Sequence, residues 1–369
     1  MMSAANSKVK RVGVLTGGGD CPGLNAVIRA VVKAGMLDYD LEAYGIRDGY
    51  EGLIYNAIIP LGYEDVSGIL NVGGTILGTS NKANPFKHVP EGGDPEKAED
   101  VSDRCLENFE HAGLDVLFCI GGDGTLTIAE KLASKGLPVV GVPKTIDNDI
   151  CGTDVTFGFD SAVQVVTDAV DRLHTTAMSH HRAMIVETMG RYAGWLALVG
   201  GMAGGGDIIL IPEIPYTLEK VCESVHARSE RGKRFSLIIV SEGVKQPNGD
   251  YVVHQRVEDS PDKIRLGGIG PWLAAEIGAR ISLESRAVVL GHLQRSGSPT
   301  AHDRILATRF GREAVVQAAA GNFGVMVAAQ GNDIVPVPLS EVGGKQRLVE
   351  PDEPLLALAR SVGTAFGDG

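Results

Sequence analysis

The chain has 369 residues, 44% of them hydrophobic, and a net charge of −12. That length favours two globular domains, and the acidic charge excludes a protein built to bind a nucleic-acid backbone, which needs a basic face. No apolar run in the sequence reaches the roughly 18 residues of a membrane-spanning helix, so we expect neither nucleic acid nor membrane as a partner.

The first half of the chain alternates short β-branched runs with helical patterns. "VGVLT" (residues 12–16) predicts a strand, and apolar side chains follow it at helical spacing: Leu24, Val27, Ile28, Val31 and Val32. Residues 115–136 repeat the order of strand, glycine-rich turn and helix, and residues 137–149 lead from a buried strand into a polar loop. This alternation is typical of parallel βαβ units, in which ligands bind beyond the carboxyl ends of the strands.

The second half continues the same plan. Residues 160–177 predict an amphipathic helix capped by Asp160 or Ser161. The other predicted strands and helices lie at 182–187, 207–212, 235–240 and 286–291, and near 217–231 and 269–282. Residues 88–103 are acidic and are interpreted as a surface connection, and the glycine-rich residues 200–207 as a loop or helix end. The chain ends with two strand-like runs (323–329 and 333–339) and a short helix. We therefore expect two parallel-sheet lobes that meet at a cleft.

The cysteines and the N-terminus indicate a cellular location. Five scattered cysteines without metal-ligand spacing are typical of a reducing compartment: Cys21, Cys105, Cys119, Cys151 and Cys222. The N-terminal "MMSAANSKVKR" lacks the apolar core of a signal peptide. We expect a cytoplasmic protein.

Two glycine-rich turns are candidate phosphate sites. In "LTGGGDCPGLN" (residues 15–25) glycines after a strand let the backbone approach a phosphate, and the next helix offers its N-terminal N–H groups. The segment is neither a Walker A motif nor G-x-G-x-x-G, and alone it reads equally well as a tight turn. "GGDGT" (residues 121–125) forms a second turn of this kind, in which Asp123 by itself is as readily a helix cap as a ligand.

"PKTIDND" (residues 143–149) adds two more carboxylates. Asp147 and Asp149 are expected to alternate along an extended segment and so to face different tasks. One could act as a base while the other holds Mg²⁺, which prefers oxygen ligands and phosphates. A turn rich in Asp and Asn would not explain three acids beside two phosphate cradles.

Cationic side chains follow the later strands. Arg182 and Arg191 flank one predicted strand, and Arg286, His292 and Arg295 accompany the last strand before residue 300. Arginines at strand ends can hold a phosphate by paired hydrogen bonds. Taken singly, each arginine would more commonly form a surface ion pair, and a lone histidine would more commonly be a buried imidazole with its hydrogen bonds satisfied.

Six segments, in order and in spacing, resemble the 6-phosphofructokinase family: "GVLTGGGDCPGLNAVIRA", "GGTILGTS", "IGGDGT", "PKTIDND", "MGRYAG" and "LGHLQRSGSPTAHDR". The resemblance covers roughly residues 10–312. It implies an α/β fold of two Rossmann-like lobes, each a mostly parallel sheet flanked by helices, with the active site in the cleft between them. Residues 1–158 with about 294–345 would form the donor-binding lobe, and residues 159–293 with about 346–369 the sugar-phosphate lobe.

The resemblance also implies an activity, which is Mg²⁺-dependent phosphoryl transfer to the 1-hydroxyl of fructose 6-phosphate. Asp147 would be the base, Asp123 and Asp149 the metal ligands, and Thr145 and Arg191 would lie near the transferring group. The donor would contact Gly19, Gly121, Gly122, Asp123, Gly124, Thr125, Lys144 and Lys82. The sugar phosphate would contact Thr145, Asp147, Arg182, Met189, Gly190, Arg191, Glu242, Arg286, His292 and Arg295. Arg182 and Arg286 would reach it from a neighbouring subunit, which implies a homodimer or homotetramer.

The identity of the donor rests on two residues. In this family glycine at position 124 leaves room for the α-phosphate of ATP, whereas pyrophosphate-dependent members carry aspartate there, and its charge would oppose that phosphate. Lys144 is shared with pyrophosphate-dependent members but is compatible with either donor. We therefore expect ATP, with pyrophosphate as the alternative. The family often places an arginine where this chain has Asn81, and Lys82 would replace it only through a shift of one residue.

Two other functions are weighed against this one. A related "GGDG" kinase acting on NAD or a lipid would lack the segment "LGHLQRSGSP", which is present here. A non-catalytic nucleotide-binding regulator would be expected to lack one of the acids or Arg191.

Arg29, Arg231 and Lys233 match positions that bind phosphorylated effectors in bacterial relatives, but basic residues at exposed helix ends are common.

Overall fold

The computed structural model describes residues 9–90, 92–94, 97–256 and 264–369. Its first half contains the following elements: β1 (Arg11–Thr16), α1 (Leu24–Tyr39), β2 (Glu42–Ile46), α2 (Tyr50–Ile54), β3 (Ile58–Leu61), α3 (Ser102–His111), β4 (Val116–Gly121), α4 (Asp123–Ser134), β5 (Val139–Pro143) and α5 (Phe159–His180). The second half contains β6 (Arg182–Thr188), α6 (Trp195–Ala203), β7 (Ile208–Leu210), α7 (Leu218–Glu230), β8 (Ser236–Ser241), β9 (Val253–Arg256), β10 (Ile264–Leu266), α8 (Ile269–Gly278), β11 (Glu284–Val289), α9 (Ala301–Ala319), β12 (Val325–Gln330), β13 (Asp333–Pro338), α10 (Leu339–Val342) and α11 (Pro354–Ser361).

The first sheet has seven strands in the order β13-β12-β5-β4-β1-β2-β3. Its five inner strands are parallel, and antiparallel β3 and β13 close the two edges. β4 and β5 are buried along their whole length, because α1 and α9 cover one face of the sheet while α3 and α4 cover the other. Continuous apolar runs such as "VLFCIG" are what a parallel sheet buried on both faces requires.

The second sheet has four parallel strands in the order β11-β6-β8-β7, and β9 and β10 form a separate antiparallel pair. Helices α5 and α6 cover one face of this sheet and α7 and α8 the other. One apolar cluster joins the covered faces of both sheets and includes Phe118, Phe157, Phe310 and Ile239. The predicted fold of two mostly parallel sheets flanked by helices is confirmed.

The C-terminal region divides between the sheets. β12 and β13, predicted as strands, extend the first sheet, whereas Ala365 pairs with Ile208 at the edge of the second sheet. The domain boundaries deduced from the sequence remain a prediction. No helix in the described ranges is long and apolar enough to cross a bilayer.

Several local predictions can be compared with the structure. The predicted helix at 160–177 runs from Phe159 to His180, but neither Asp160 nor Ser161 caps it: Gly158 does, with φ of 95°. The Ser161 hydroxyl instead donates to Asp303 at 2.6 Å, which joins the first turns of α5 and α9. The 269–282 helix ends early, at Gly278. Residues 200–203 end α6, so the reading of 200–207 as a helix end and loop is confirmed.

The predicted acidic connection at 88–103 includes residues 91 and 95–96, which lie outside the described residues. The described part is mostly exposed and is closed by pairing of His88 with Glu99. It ends where α3 begins at Ser102.

Candidate active site

The two glycine-rich turns lie side by side because β1 and β4 are neighbours in the first sheet. The Gly17 N–H donates to the Ile120 carbonyl at 2.9 Å, and the side chain of Thr125 lies between the turns. A Cβ on Gly17 would come within 2.6 Å of Thr125 Oγ1, and one on Gly121 would overlap the same side chain. Glycine at both positions therefore lets the two turns form one continuous backbone surface.

Open space adjoins this surface at Gly124, in the first turn of α4. Gly124 is exposed, and a Cβ placed on it would meet no described atom within 4 Å. The N-cap of α4, Gly122, makes no side-chain capping hydrogen bond, and the positive dipole end of a helix favours an anion. The site therefore has room for donor atoms where the resemblance places them.

Asp123 is the first residue of α4. Its Oδ1 accepts from the backbone N–H of Gly344 at 2.8 Å and lies 3.5 Å from the Thr127 hydroxyl. The carboxylate is thus held beside the donor turn by a segment from the far C-terminal region.

Asp147 is buried next to Thr145. The Asp147 N–H donates to Thr145 Oγ1 at 3.0 Å, and that hydroxyl lies 3.3 Å from Asp147 Oδ2. The other carboxylate oxygen, Oδ1, has no hydrogen-bond partner among the described residues. A buried acceptor without a partner is costly in a folded protein and needs an explanation. Oδ1 of Asp147 can therefore accept a hydrogen bond from a bound molecule.

The segment that carries Asp147 and Asp149 is not extended, which corrects the expectation from sequence. Asn148 between them has φ of 54°, a left-handed conformation that Asn tolerates. Its side-chain oxygen accepts from the Thr156 N–H at 3.0 Å and fixes the turn. The two carboxylates consequently lie close enough to influence each other: burial, and then the negative charge of Asp147, raise the pKa of Asp149 to about 7.

The residues fit a magnesium site of the kind that substrate phosphates complete. Within the described ranges no three His, Cys, Asp or Glu side chains gather as ligands for one ion. Mg²⁺ in phosphotransferases is commonly held by one or two carboxylates together with waters and substrate phosphates. Asp123 and Asp149 supply such a pair, and a cation there would relieve the repulsion between Asp149 and Asp147.

Lys144 connects the acids to the first glycine turn. Its side chain is 3% exposed, and Nζ donates to the Gly19 carbonyl. Burial lowers the pKa of Lys144 to about 8, with Arg295 acting in the same direction and Asp147 opposing it. The amine is therefore a positive charge enclosed between the first glycine turn and the proposed base.

Arg295 also lies at the first glycine turn. Its Nη1 donates to the Asp20 carbonyl at 3.1 Å, and a Cβ on Gly19 would come within 2.7 Å of the same nitrogen. The resemblance assigns Arg295 to the sugar phosphate, yet these contacts place it at the border with the donor turn. His292, from the same 3₁₀ helix (Gly291–Arg295), is exposed.

Met189, Gly190, Arg191 and Glu242 meet at the carboxyl ends of β6 and β8. Arg191 has φ of 50°, and its N–H donates to Glu242 Oε1 at 3.2 Å. Burial, and then the charge of Asp147, raise the pKa of Glu242 to about 7. Glu242 of the second sheet therefore lies close enough to Asp147 of the first sheet to feel its charge.

Lys82 belongs to a turn that touches the donor loop. The Gly18 N–H donates to the Ser80 carbonyl at 3.1 Å, and the Thr79 hydroxyl donates to the Gly18 carbonyl at 2.6 Å. Lys82 itself is exposed two residues further on. Of the three candidate effector residues, Arg29 is half-buried in α1, and Arg231 and Lys233 are exposed after α7.

Arg182 and Arg286 do not join this site within one chain. Arg182 begins β6, whereas Met189 follows its last residue. A strand of seven residues separates the two backbones by about 20 Å. Arg182 Nε donates to Glu284 Oε2 at 2.6 Å, and Arg286 forms an ion pair with the other oxygen of Glu284.

Three site-supporting residues were not found from sequence. Gln294 is fully buried, and its Oε1 accepts from the Met189 N–H at 3.3 Å. Gly344 and Gln346 contact Asp123 and Asp149 from the C-terminal region. Gln294 lies inside a segment already singled out, whereas nothing in the composition of residues 344–346 distinguishes them.

The sequence matches the family model described as "Phosphofructokinase" over residues 11–318. It is 50% identical over 362 residues to "ATP-dependent 6-phosphofructokinase 2" of Clostridium perfringens, covering 98% of this chain and 99% of that one. It is 52% identical over 342 residues to "Pyrophosphate--fructose 6-phosphate 1-phosphotransferase" of Amycolatopsis methanolica, covering 93% of this chain and 97% of that one.

Solved phosphofructokinase structures share the fold. The fold matches phosphofructokinase of Pichia pastoris with a TM-score of 0.77 and 31% identity, over 97% of this chain and 37% of that longer chain. A pyrophosphate-dependent phosphofructokinase from Marinobacter aquaeolei has the same fold, with a TM-score of 0.77 at 22% identity and coverage of 97% and 88%. The chain therefore belongs to the phosphofructokinase family of enzymes.

Proposed function

We propose that this enzyme transfers a phosphoryl group from ATP to the 1-hydroxyl of fructose 6-phosphate, with Asp147 as the base. Enzymes of this family phosphorylate fructose 6-phosphate. The observation that carries the assignment of the base is the buried Asp147 carboxylate, whose Oδ1 lacks a partner among the described residues. Asp147 follows β5 of the first sheet, and its charge helps to raise the pKa of Glu242, which follows β8 of the second sheet.

The chain's own residues account for positioning and charge. The Gly17–Gly19 and Gly121–Thr125 turns line the donor phosphate site, and the N-terminal end of α4 offers its backbone N–H groups to the phosphates. Asp147 accepts the proton of the attacking hydroxyl through Oδ1, while Thr145 keeps the carboxylate oriented through Oδ2. Arg191 and Lys144 place positive charge near the transferring group, where fixed charge stabilises the transition state.

Mg²⁺ would be held by Asp123 and Asp149 and, when bound, would neutralise charge on the donor phosphates. The support is the pair of oxygen ligands and the raised pKa of Asp149 beside Asp147. Met189, Gly190, Glu242 and His292 would bind the sugar phosphate, and Arg295 would do so at the border with the donor site.

ATP is preferred over pyrophosphate because the space beside Gly124 is open. The specific observation that favours pyrophosphate is Lys144, a buried amine at the Gly19 carbonyl. Similar relatives carry both names, so sequence identity does not separate the donors. A non-catalytic regulator is disfavoured, because Asp123, Asp147, Asp149 and Arg191 are all present.

We extend the proposal to assembly and location. Arg182 and Arg286 reach the sugar phosphate of a neighbouring subunit, so the active form is a homodimer or homotetramer. All five cysteines are free thiols, as expected for a reducing cytoplasm. The donor lobe comprises residues 1–158 with about 294–345, and the remainder of the chain forms the sugar-phosphate lobe.

A direct assay tests the donor and the acceptor together. Purified protein is supplied with fructose 6-phosphate and Mg²⁺, and fructose 1,6-bisphosphate is measured with ATP or pyrophosphate as donor. We expect product with ATP at a rate well above that with pyrophosphate. A faster reaction with pyrophosphate would overturn the donor assignment, and absence of product with both donors would overturn the proposed function.

A further inference from the structure

Residues 344–349, here called the strap, cross from the first lobe to the second between α10 and α11. The strap is largely exposed on its outer side, with Val349 buried at its end. It lies beyond residue 318, where the match to the family model ends. Its inner side contacts both carboxylates that we assign to Mg²⁺.

At its first residue the strap holds Asp123. The Gly344 N–H donates to Asp123 Oδ1 at 2.8 Å and is also 3.1 Å from the Thr127 hydroxyl. Thr127 lies one turn along α4 from Asp123, so a three-membered polar cluster fixes the carboxylate at the start of the helix.

Two residues later the strap holds Asp149. The side-chain amide of Gln346 donates to Asp149 Oδ2 at 3.3 Å, and the backbone of Gln346 pairs with Ile150. The Arg347 N–H donates to the Asp149 carbonyl at 2.8 Å. The strap therefore fixes both the backbone and the carboxylate of Asp149.

The far end of the strap is attached to the second lobe. The Arg347 guanidinium lies 4.2 Å from the centre of the Trp195 ring, and Trp195 Nε1 donates to the Arg347 carbonyl at 2.9 Å. Glu213 Oε1 accepts from the N–H groups of Val349 at 3.0 Å and Gly194 at 2.9 Å. These contacts anchor the strap at the start of α6, which reduces its freedom to shift relative to the acids.

We propose that Gly344 and Gln346 are positioning residues that set the orientation of Asp123 and Asp149 for the metal–donor complex. This inference rests on the proposed function. Neutral N–H donors orient a carboxylate while leaving its charge for a cation, whereas a lysine or arginine would compete with that cation. Residues that orient metal ligands in this way typically change metal affinity or activity about 10–100-fold when mutated.

The test measures binding of the metal–donor complex without turnover. Mn²⁺, a paramagnetic substitute for Mg²⁺, is titrated with ATP, and separately with pyrophosphate, onto the full-length protein by electron paramagnetic resonance. The variants are Gln346→Ala and Gln346→Glu, with Lys345→Ala as the matched exposed neighbour. We expect affinity about tenfold weaker in Gln346→Ala, a larger loss in Gln346→Glu because of the added negative charge, and no change in Lys345→Ala. Fructose 6-phosphate affinity stays unchanged in all three.

Thr127→Val is a second variant that alters the other end of the strap without touching Gln346. Thr127→Val should also weaken Mn²⁺–donor binding. If the Gln346 variants do not fold, this variant alone tests the positioning role. Affinities and kcat within twofold of the wild type in the folded variants would overturn the positioning role. That failure is distinct from failure of the proposed function, which would appear as a wild-type enzyme inactive with both donors.

Discussion

Thr145 and Asp147 are joined by a reciprocal contact: the Asp147 N–H donates to Thr145 Oγ1 at 3.0 Å, and that oxygen lies 3.3 Å from Asp147 Oδ2. One carboxylate oxygen is thereby oriented, while Oδ1 stays without a partner among the described residues. The carboxylate is therefore oriented through one oxygen, and the other oxygen can accept a hydrogen bond from a bound hydroxyl group, which is the role we propose for it.

Asp147→Asn should lower kcat by about 10²–10⁴-fold, because the amide cannot accept the proton of the sugar hydroxyl. The affinity for fructose 6-phosphate should be largely retained, and the melting temperature should stay equal or rise because a buried charge is removed. Steady-state kinetics and calorimetric titration of the sugar phosphate measure both effects, with Asp333→Asn on exposed β13 as the control. Turnover within tenfold of the wild type would exclude Asp147 as the base.

Gly124→Asp should abolish use of ATP while sparing any reaction with pyrophosphate. The new carboxylate enters open space and sits in the first turn of α4, where a negative charge is tolerated, so folding is preserved. Loss of ATP activity would then reflect repulsion of the donor. The uncharged isostere Gly124→Asn separates charge from bulk and should retain more ATP activity than the aspartate. Equal activity of both variants with ATP would show that position 124 does not face the nucleotide.

Shared sites can be detected by mixing two inactive variants. Arg182→Ser removes the arginine that pairs with Glu284, far from Asp147 in the same chain, and Asp147→Asn removes the base. If Arg182 serves a neighbouring site, hybrids contain some sites with both wild-type residues and regain activity. Co-expression with two different affinity tags isolates true hybrids for assay. Hybrids no more active than either parent would contradict a site built from two subunits.

The sheets could be predicted from sequence because parallel strands buried on both faces leave unbroken apolar runs, as "VLFCIG" in β4 does. The clustering of Asp123 with the glycine turns followed from the rule that strand ends meet at one edge. Asn148 could not be foreseen, because the left-handed turn between the two acids depends on a hydrogen bond to Thr156, eight residues away.

The remaining misses have the same physical origin, which is contact between distant parts of the chain. Glu284 pairs with Arg182 only because β11 lies in register beside β6. Gln346 reaches Asp149 across a separation of 197 residues, and an exposed glutamine carries no local signal for that role. Asp160 and Ser161 resembled helix caps, yet their partners come from the start of α9.

Lys144 predicts a pH-dependent stability. Its pKa is lowered from 10.5 to about 8 by burial, so between these values the unfolded chain binds more protons than the folded one. Stability from this group therefore rises with pH across that window, and below pH 8 its charge costs the fold about 3 kcal/mol.

Lys144→Met keeps most of the volume and removes the charge. We expect it to raise the melting temperature by several degrees at pH 7, whereas the gain should largely vanish at pH 10, where wild-type Lys144 is neutral in the fold. Differential scanning calorimetry at both pH values measures the two differences, and Lys345→Met on the exposed strap controls for loss of a lysine elsewhere. A gain of equal size at pH 7 and pH 10 would mean that Lys144 binds as many protons in the folded chain as in the unfolded one, which contradicts a pKa lowered by burial.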